Sequence, residues 1–360
     1  MTMNGFTLAG PVTSALTHFA LYGMSAIIEN DTRKPVRLCW TDEANPKPQL
    51  DAGLTPGEIA AAVHRHATRC ASPQNWLAVR IEHEGKTKAA FSPRLATPST
   101  TSSWRRLQEA RHNGLDAVAA AGDELDLRMI GALGEQAYWP TTSQSGSGHA
   151  KANSDGKSDA GASRWEMAAR NSGAEFIGNR LAILARKVAD RSIDEVLTGL
   201  TGQTLSDEAG RNAPDSRSGT GLTQPGPVDN ALAWCALWGI SQFPLAHHNG
   251  SQSGTAGTHV PPRRPYPTFV FLPVPTRPVT LARLRTLLAS RQLAAAATTS
   301  DTADPLDVIA SDAARKWLAH RSIRALMRFP VSVSDNKSAP ERQVLDGSVV
   351  AVVDPASLWN

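Results

Sequence analysis

The alternation of apolar and polar positions divides the chain into helical and extended stretches joined by Gly- and Pro-rich turns. The opening "NGFTLAG" has the pattern of a short edge strand. It leads into a helix over about 13–29, where Leu16, Phe19, Ala20, Gly23 and Ile27 recur near helical spacing. "VRLCW" (Val36 to Trp40) predicts a strand, and the Pro-rich turn "NPKP" follows. "TPGEIAAAVHRHATRC" predicts a helix from local signals: Thr55 as N-cap, Pro56 at the first helical position and Glu58 at the capping-box position. "WLAVRIE", the turn "HEGKT" and "KAAFSP" alternate as a β-hairpin from Trp76 to Pro93. Helices are expected over about 103–110 and from Leu115 onward.

The segment from Thr141 to Ser163 is low-complexity polar chain and divides the protein, so it is expected to be mobile. Beyond it, "SRWEMAARNSGAEFIGNRLAILARKVADRS" predicts a helix, and "SIDEVLTGL" extends or restarts it with Ser192 as cap. "NALAWCALWGIS" is apolar nearly all round, the pattern of a central core helix over about 230–241. A second flexible stretch is expected from Asn249 to His259. "PTFVFLPVP" predicts a strand, "LARLRTLLASRQLAAAA" an arginine-bearing helix, and Pro305 to Arg328 another helix. "FPVSVS" and "SVVAVVD" predict closing strands. No βαβ rhythm or internal repeat is present, so the expected class is α+β with short, mostly antiparallel strands. The expected division is an N-terminal α+β region (1–140), the polar insert (141–163) and a C-terminal α+β region (164–360).

At 360 residues with 41% hydrophobic content, the chain is long enough for a substantial core. Its three cysteines, Cys39, Cys70 and Cys235, are far apart and form no C-x-x-C pair. Neither a disulfide framework nor a zinc ribbon is indicated, and a reducing cytoplasm is the expected location. The apolar run from Phe19 to Ile28 is too short to span a bilayer and lacks the flanks of a signal peptide, so no membrane role is expected.

The formal net charge of +4 hides a local imbalance. From Asn230 to Ser300 there is no Asp or Glu, while Arg263, Arg264, Arg277, Arg283, Arg285 and Arg291 all fall inside; the rest of the chain has 31 basic against 33 acidic residues. Such a segment can form a phosphate-facing surface, since Arg neutralises backbone charge and releases counterions. The alternative is a set of solvated arginines on a surface helix.

Stretches that imitate catalytic motifs fail on context. "SDEAG" (Ser206 to Gly210) lacks the apolar strand that would set its carboxylates at magnesium in a helicase-type ATPase. "EGKT" (Glu84 to Thr87) ends like a P-loop, but Arg80 stands where the first glycine belongs. "SGSGH" (Ser145 to His149) imitates a nucleophile elbow inside low-complexity chain. His64 and His66 point to different sides of a helix, and His247 and His248 sit side by side in a loop. No catalytic set, metal, cofactor or small-molecule substrate is expected. A rival reading builds an unfamiliar nuclease or hydrolase site from Asp42, Glu43, Asp207, Glu208 and the scattered histidines.

In "DSRSGTGLTQPGPVDNALAWCALWGISQFPL", Asp229 or Asn230 is placed to cap the Trp-rich helix, so the polar loop centred on Arg217 is delivered to a helix end. Backbone N–H groups there, with the arginine, can hold a phosphate. Alternatively, Arg217 pairs with Asp215 or Asp229 and closes the loop.

Taken with "LTHFALYGMSAIIE", "VRLCWTDEANPKPQL", "FSPR" and "RWEMAARNSGAEFIGNRLAILA", this stretch resembles a small protein of actinobacterial type I-G (formerly I-U) CRISPR systems, the third member of the Csb series. It is also similar to the extension attached to the helicase–nuclease in that subtype. The resemblance covers most of the chain outside the low-complexity inserts. It implies a non-enzymatic subunit or adaptor of crRNA-guided antiviral interference, whose partners are crRNA or target DNA and other CRISPR subunits, the helicase–nuclease among them. The alternative within that setting is a pure protein–protein scaffold. The family brings no catalytic residues to carry over; Arg94, Arg170, Arg180 and Arg217 are chosen as binding candidates from the matching stretches, beside the six arginines of 263–291.

Overall fold

A computed structural model describes residues 5–95, 98, 100–135, 161–166, 176–247, 253–261, 266–297, 305–335 and 341–352, with the backbone alone at 305–308. The chain opens on β1 (Phe6–Thr7), α1 (Ala15–Thr32), β2 (Arg37–Trp40), β3 (Pro48–Asp51) and α2 (Pro56–Ala71). The hairpin β4 (Arg80–His83) and β5 (Lys86–Ala89) follows, then α3 (Thr101–Ala120) and α4 (Glu124–Leu133). After a π-turn at Ile177–Leu181 come α5 (Ala182–Ala189), α6 (Ile193–Thr201) and α7 (Asn230–Gly239). Next are β6 (Leu245–Ala246), β7 (Gly254–Thr255), β8 (Thr258–His259), β9 (Phe269–Pro275) and β10 (Val279–Thr280). The last elements are α8 (Leu281–Leu288), α9 (Arg291–Ala296), α10 (Pro305–Ala319), β11 (Ile323–Val333), β12 (Arg342–Val344) and β13 (Ser348–Ala351). The protein is an α+β fold.

Among the described residues, all strand pairings are antiparallel. A four-stranded sheet has the order β1-β3-β2-β10, a five-stranded one runs β12-β11-β9-β8 with β13 also on β11, and β4-β5 and β6-β7 form two-stranded sheets. The first sheet joins strands from both ends of the sequence, since Val279 pairs with Leu38. One hydrophobic core runs from Phe6 to Val352. The regions on either side of the polar insert therefore share a core rather than holding one each. Residues 141–160 of the insert lie outside the described residues, while Ala162 bridges to Gly134.

Two helices organise this core. Every residue of α1 from Ala15 to Ile28 is buried, and so is every residue of α7. They cross in contact at two glycines: a methyl group at Gly23 would overlap the Cys235 carbonyl oxygen, and one at Gly239 would overlap that of Phe19. Only glycine permits so close a backbone approach. Around the crossing, Phe19 stacks on Phe243 at 4.6 Å and Trp165 meets both. Trp234 and Trp238 lie 5.6 Å apart with His66 against them.

Local signals set the helix ends they were expected to set. Thr55 and Glu58 form the capping box of α2, and Ser192 and Glu195 that of α6. Elsewhere, tertiary contacts change the expected elements. Residues 103–110 and the stretch from Leu115 belong to one helix, α3, because Gly114 fits against the Phe91 ring without breaking the turn. Ile323 to Arg328 is strand, not helix: Ser322 takes φ 65°, and the backbone that follows pairs with β9 on one side and β13 on the other. Arg164 to Glu166 form a buried turn rather than the start of a helix. The second half of the stretch from Asn249 to His259 is ordered as β7 and β8, since the Trp165 indole donates to the Ala256 carbonyl at 2.8 Å and Arg164 N–H donates to the Thr255 hydroxyl at 3.1 Å; residues 249–252 lie outside the described residues.

Two core histidines give a pH dependence. His18 is fully buried and its pKa is lowered to about 4 by desolvation, against a hydrogen bond to the Val12 carbonyl at 2.8 Å. His66 is lowered well below the usual range, first by burial and then by Arg69. A folded pKa below the unfolded one means that unfolding takes up protons. Stability is then complete above the unfolded value near 6.5 and falls as pH drops through 6.5 toward 4. Each histidine adds a slope of up to ~1.4 kcal/mol per pH unit. Glu29 and Asp126, raised by burial, act in the opposite sense and reduce the net slope. Urea midpoints are expected to be flat from pH 8 to 7 and to fall from pH 6.5 to 5, less steeply in His66→Gln; a flat profile down to pH 5 would show that these rings are hydrated.

Candidate nucleic-acid interface

The loop of Arg217 is built around a carboxylate. Asp207 accepts from the Ser216 hydroxyl, from the Ser218 hydroxyl at 2.5 Å, from Asn230 Nδ2 at 2.9 Å and from Gly210 N–H at 2.9 Å. Burial opposes its ionisation, but the hydrogen bonds from Ser216, Ser218 and Asn230 outweigh burial and hold the carboxyl below its ordinary range. The serines on either side of Arg217 thus point inward, and the arginine between them points away. It pairs with Glu341 of the segment leading into β12, not with Asp215 or Asp229.

The N-terminus of α7 is closed to a ligand. Asp229 accepts from Ala231 N–H at 2.8 Å and from Ser206 N–H at 3.0 Å, and Arg191 donates to it at 2.9 and 3.2 Å. Arg191 also donates to the Ser206 carbonyl at 2.6 Å and to Glu208 at 3.1 Å. The phosphate cradle expected at this helix end is therefore filled by the protein's own carboxylate. The same bonds commit Asp207 and Glu208 to structure. Asp42 and Glu43 sit exposed in the turn between β2 and β3, and among the described residues the four carboxylates form no cluster with a histidine.

Arg94 is inside the protein. Its guanidinium donates to the carbonyls of Ser163 and Glu166 at 3.2 and 3.0 Å and lies 3.2 Å from the Glu166 carboxylate, while Arg342 donates to the same Glu166 carbonyl at 2.8 Å. The "FSPR" and "RWE" stretches thus meet in the core, where Arg94 ties down a turn and offers no surface to a ligand. Arg180 is half-buried on the π-turn and donates to the Asn179 carbonyl at 3.0 Å. Arg170, Arg263 and Arg264 lie outside the described residues.

The remaining candidates separate by their neighbours. Arg285 is half-buried, donates to Gln242 Oε1 at 2.9 Å and has Glu29 of α1 nearby; burial and Arg128 lower its pKa. Arg277, Arg283 and Arg291 are exposed, and none of them has an ion-pair partner among the described residues. Arg283 occupies the first turn of α8, where Thr280 caps its backbone N–H at 3.3 Å, so the backbone beneath the side chain is fixed.

Two groupings escape a reading by sequence. His66 and Cys70, four apart on α2, meet Asp126 of α4 with ligand-type atoms within 4.8 Å of one another. Both Asp126 oxygens are already taken by Arg69, at 2.7 and 3.1 Å, so the carboxylate serves an ion pair. The i, i+4 spacing of His66 and Cys70 was the available signal. The second grouping is an open cavity between the end of α2, β4, the π-turn and α5, into which Arg80 and Arg186 face. In the sequence, Arg80 is conspicuous only as the residue that spoils a P-loop.

The chain matches no protein-family model, and no curated protein sequence matches it.

Proposed function

We propose that the chain is a non-enzymatic subunit or adaptor of a type I-G CRISPR interference system that binds nucleic acid through its exposed, unpaired arginines. The observation that carries this reading is the contrast between two sets of side chains. Arg69, Arg94, Arg191 and Arg217 each face a carboxylate, whereas Arg277, Arg283 and Arg291 face solvent in a stretch that has no carboxylate to offer. Unneutralised guanidinium groups on fixed backbone suit phosphate, which they neutralise with release of counterions. Burial of Cys39, Cys70 and Cys235 as free thiols supports placement in a reducing cytoplasm. Among the described residues, no helix is long and apolar enough to cross a membrane.

Binding to single-stranded or duplex oligonucleotides is expected to weaken with salt at a log–log slope of about −0.7 to −0.9 per phosphate contacted. Arg283→Ala is expected to reduce that slope by about one with thermal stability unchanged, since its side chain is exposed. No binding at moderate salt, with Arg283→Ala instead disrupting a pull-down with the helicase–nuclease or the guide complex, would replace this reading with the protein scaffold.

A further inference from the structure

We infer that the cavity between α2, β4, the π-turn and α5 is a binding site for a phosphate group. The inference rests on the proposed nucleic-acid role only for the source of that phosphate, not for the site.

The cavity has a volume of about 220 Å³ and opens to solvent. That is room for roughly seven waters at ~30 Å³ each, and so for a phosphate with part of what carries it. Its floor is apolar, formed by Leu77, Cys70 and Ala182, and its polar lining consists of Ser72, Arg80 and Arg186. No carboxylate lines it. Neither arginine has an acidic partner among the described residues; the charged group acting on Arg80 is Arg186. Two guanidinium groups that share a cavity and repel one another are stabilised together by an oxyanion placed between them.

Arg80 is held in position. Its Nη1 donates to the carbonyls of Leu77 and Val79 at 2.7 and 3.2 Å, anchoring the guanidinium to the short 3-10 turn that ends α2's approach to β4. The opposite wall is bare because residue 178 is glycine; Arg80 Nη2 is the nearest atom to where a side chain there would begin, 3.9 Å away. Gly178 lies in the π-turn, an irregularity that recurs at functional sites and that here widens the entry to α5. Arg186 comes from the exposed side of α5, so the two charges reach the cavity from parts of the chain a hundred residues apart. One anchored and one exposed guanidinium group, neither neutralised, over an apolar floor suit the paired N–H···O bonds that arginine makes to phosphate oxygens.

The test uses the full chain, with Arg186→Ala as the main variant because that side chain is exposed and makes no contact the fold needs. Arg80→Lys keeps a charge but loses the fork and the carbonyl anchor, and Lys34→Ala, at an exposed cation outside the cavity, serves as the control. Inorganic phosphate and a 5′-mononucleotide are titrated at constant ionic strength, followed by calorimetry and by melting temperature, and an oligonucleotide without terminal phosphate forms the second arm. The expected result is that phosphate and mononucleotide raise the melting temperature of the wild type and of Lys34→Ala. Affinity falls at least tenfold in Arg186→Ala and falls also in Arg80→Lys. If the oligonucleotide behaves likewise, the phosphate comes from a nucleic-acid backbone. If it does not bind the wild type while phosphate does, the cavity stands and the nucleic-acid role falls. Equal phosphate affinity in the wild type and Arg186→Ala, or no phosphate binding by either, overturns the inference.

Discussion

Trp238→Ala is expected to lower the free energy of unfolding by about 3–5 kcal/mol, the range for removing a fully buried tryptophan. Trp238 has no exposed surface, and its indole meets His66 at 4.4 Å, Trp234 at 5.6 Å and Trp76 at 6.4 Å between ring centres. These neighbours come from α2, from α7 itself and from the 3-10 turn before β4, so no single element can move inward to fill the space left. The indole N–H has no hydrogen-bond partner among the described residues, so the side chain serves there as an apolar filler rather than a polar anchor. Trp238→Phe should accordingly recover much of the loss. The measurement is the denaturant midpoint at constant m-value. A change below about 1 kcal/mol for the alanine variant would mean that this face of α7 is not core.

Arg191→Ala is expected to cost as much, about 3–5 kcal/mol, for an electrostatic reason. Arg191 and Asp229 are both almost fully buried, and Asp229 caps α7 while Arg191 closes the loop through Ser206 and Glu208. Removing the arginine leaves a carboxylate in the interior with one charged partner fewer. Replacing both, as Arg191→Met with Asp229→Asn, removes the charge and keeps a capping side chain, since Asn caps as well as Asp. The double variant should therefore be more stable than Arg191→Ala, a non-additivity that a merely solvated pair would not produce. If the two changes add, the charges are screened by water and the loop is not held as described.

What was legible beforehand follows the range of the interactions concerned. The capping boxes at Thr55 and Ser192 and the all-apolar α7 lie within single turns or helices, so local sequence specifies them. Residues 323–328 carry a helical local pattern, yet their state is decided by β9 and β13, neither of which is adjacent in sequence. The candidate site divides the same way. The absence of acidic residues from 230 to 300 can be counted, and it marked Arg277, Arg283 and Arg291. That Arg94 turns inward to Glu166, and that Arg217 reaches Glu341, depends on contacts across dozens of residues or more. The cavity of Arg80 and Arg186 was invisible because it forms only when α5 is laid beside α2.

The glycine crossing of α1 and α7 also governs timing. A ribosome adding about 5–20 residues per second needs roughly 10–40 s to pass from Gly23 to Gly239, the two points where the helices touch. For that interval α1, whose fourteen residues from Ala15 to Ile28 are all buried in the folded protein, lacks α7, the helix it packs against most extensively. Native contacts of such separation form late, because loop closure precedes the contacts that reward it. The most apolar helix near the start of the chain is thus the one that waits longest, and during synthesis it is an exposed sticky surface of the kind that holdase chaperones cover.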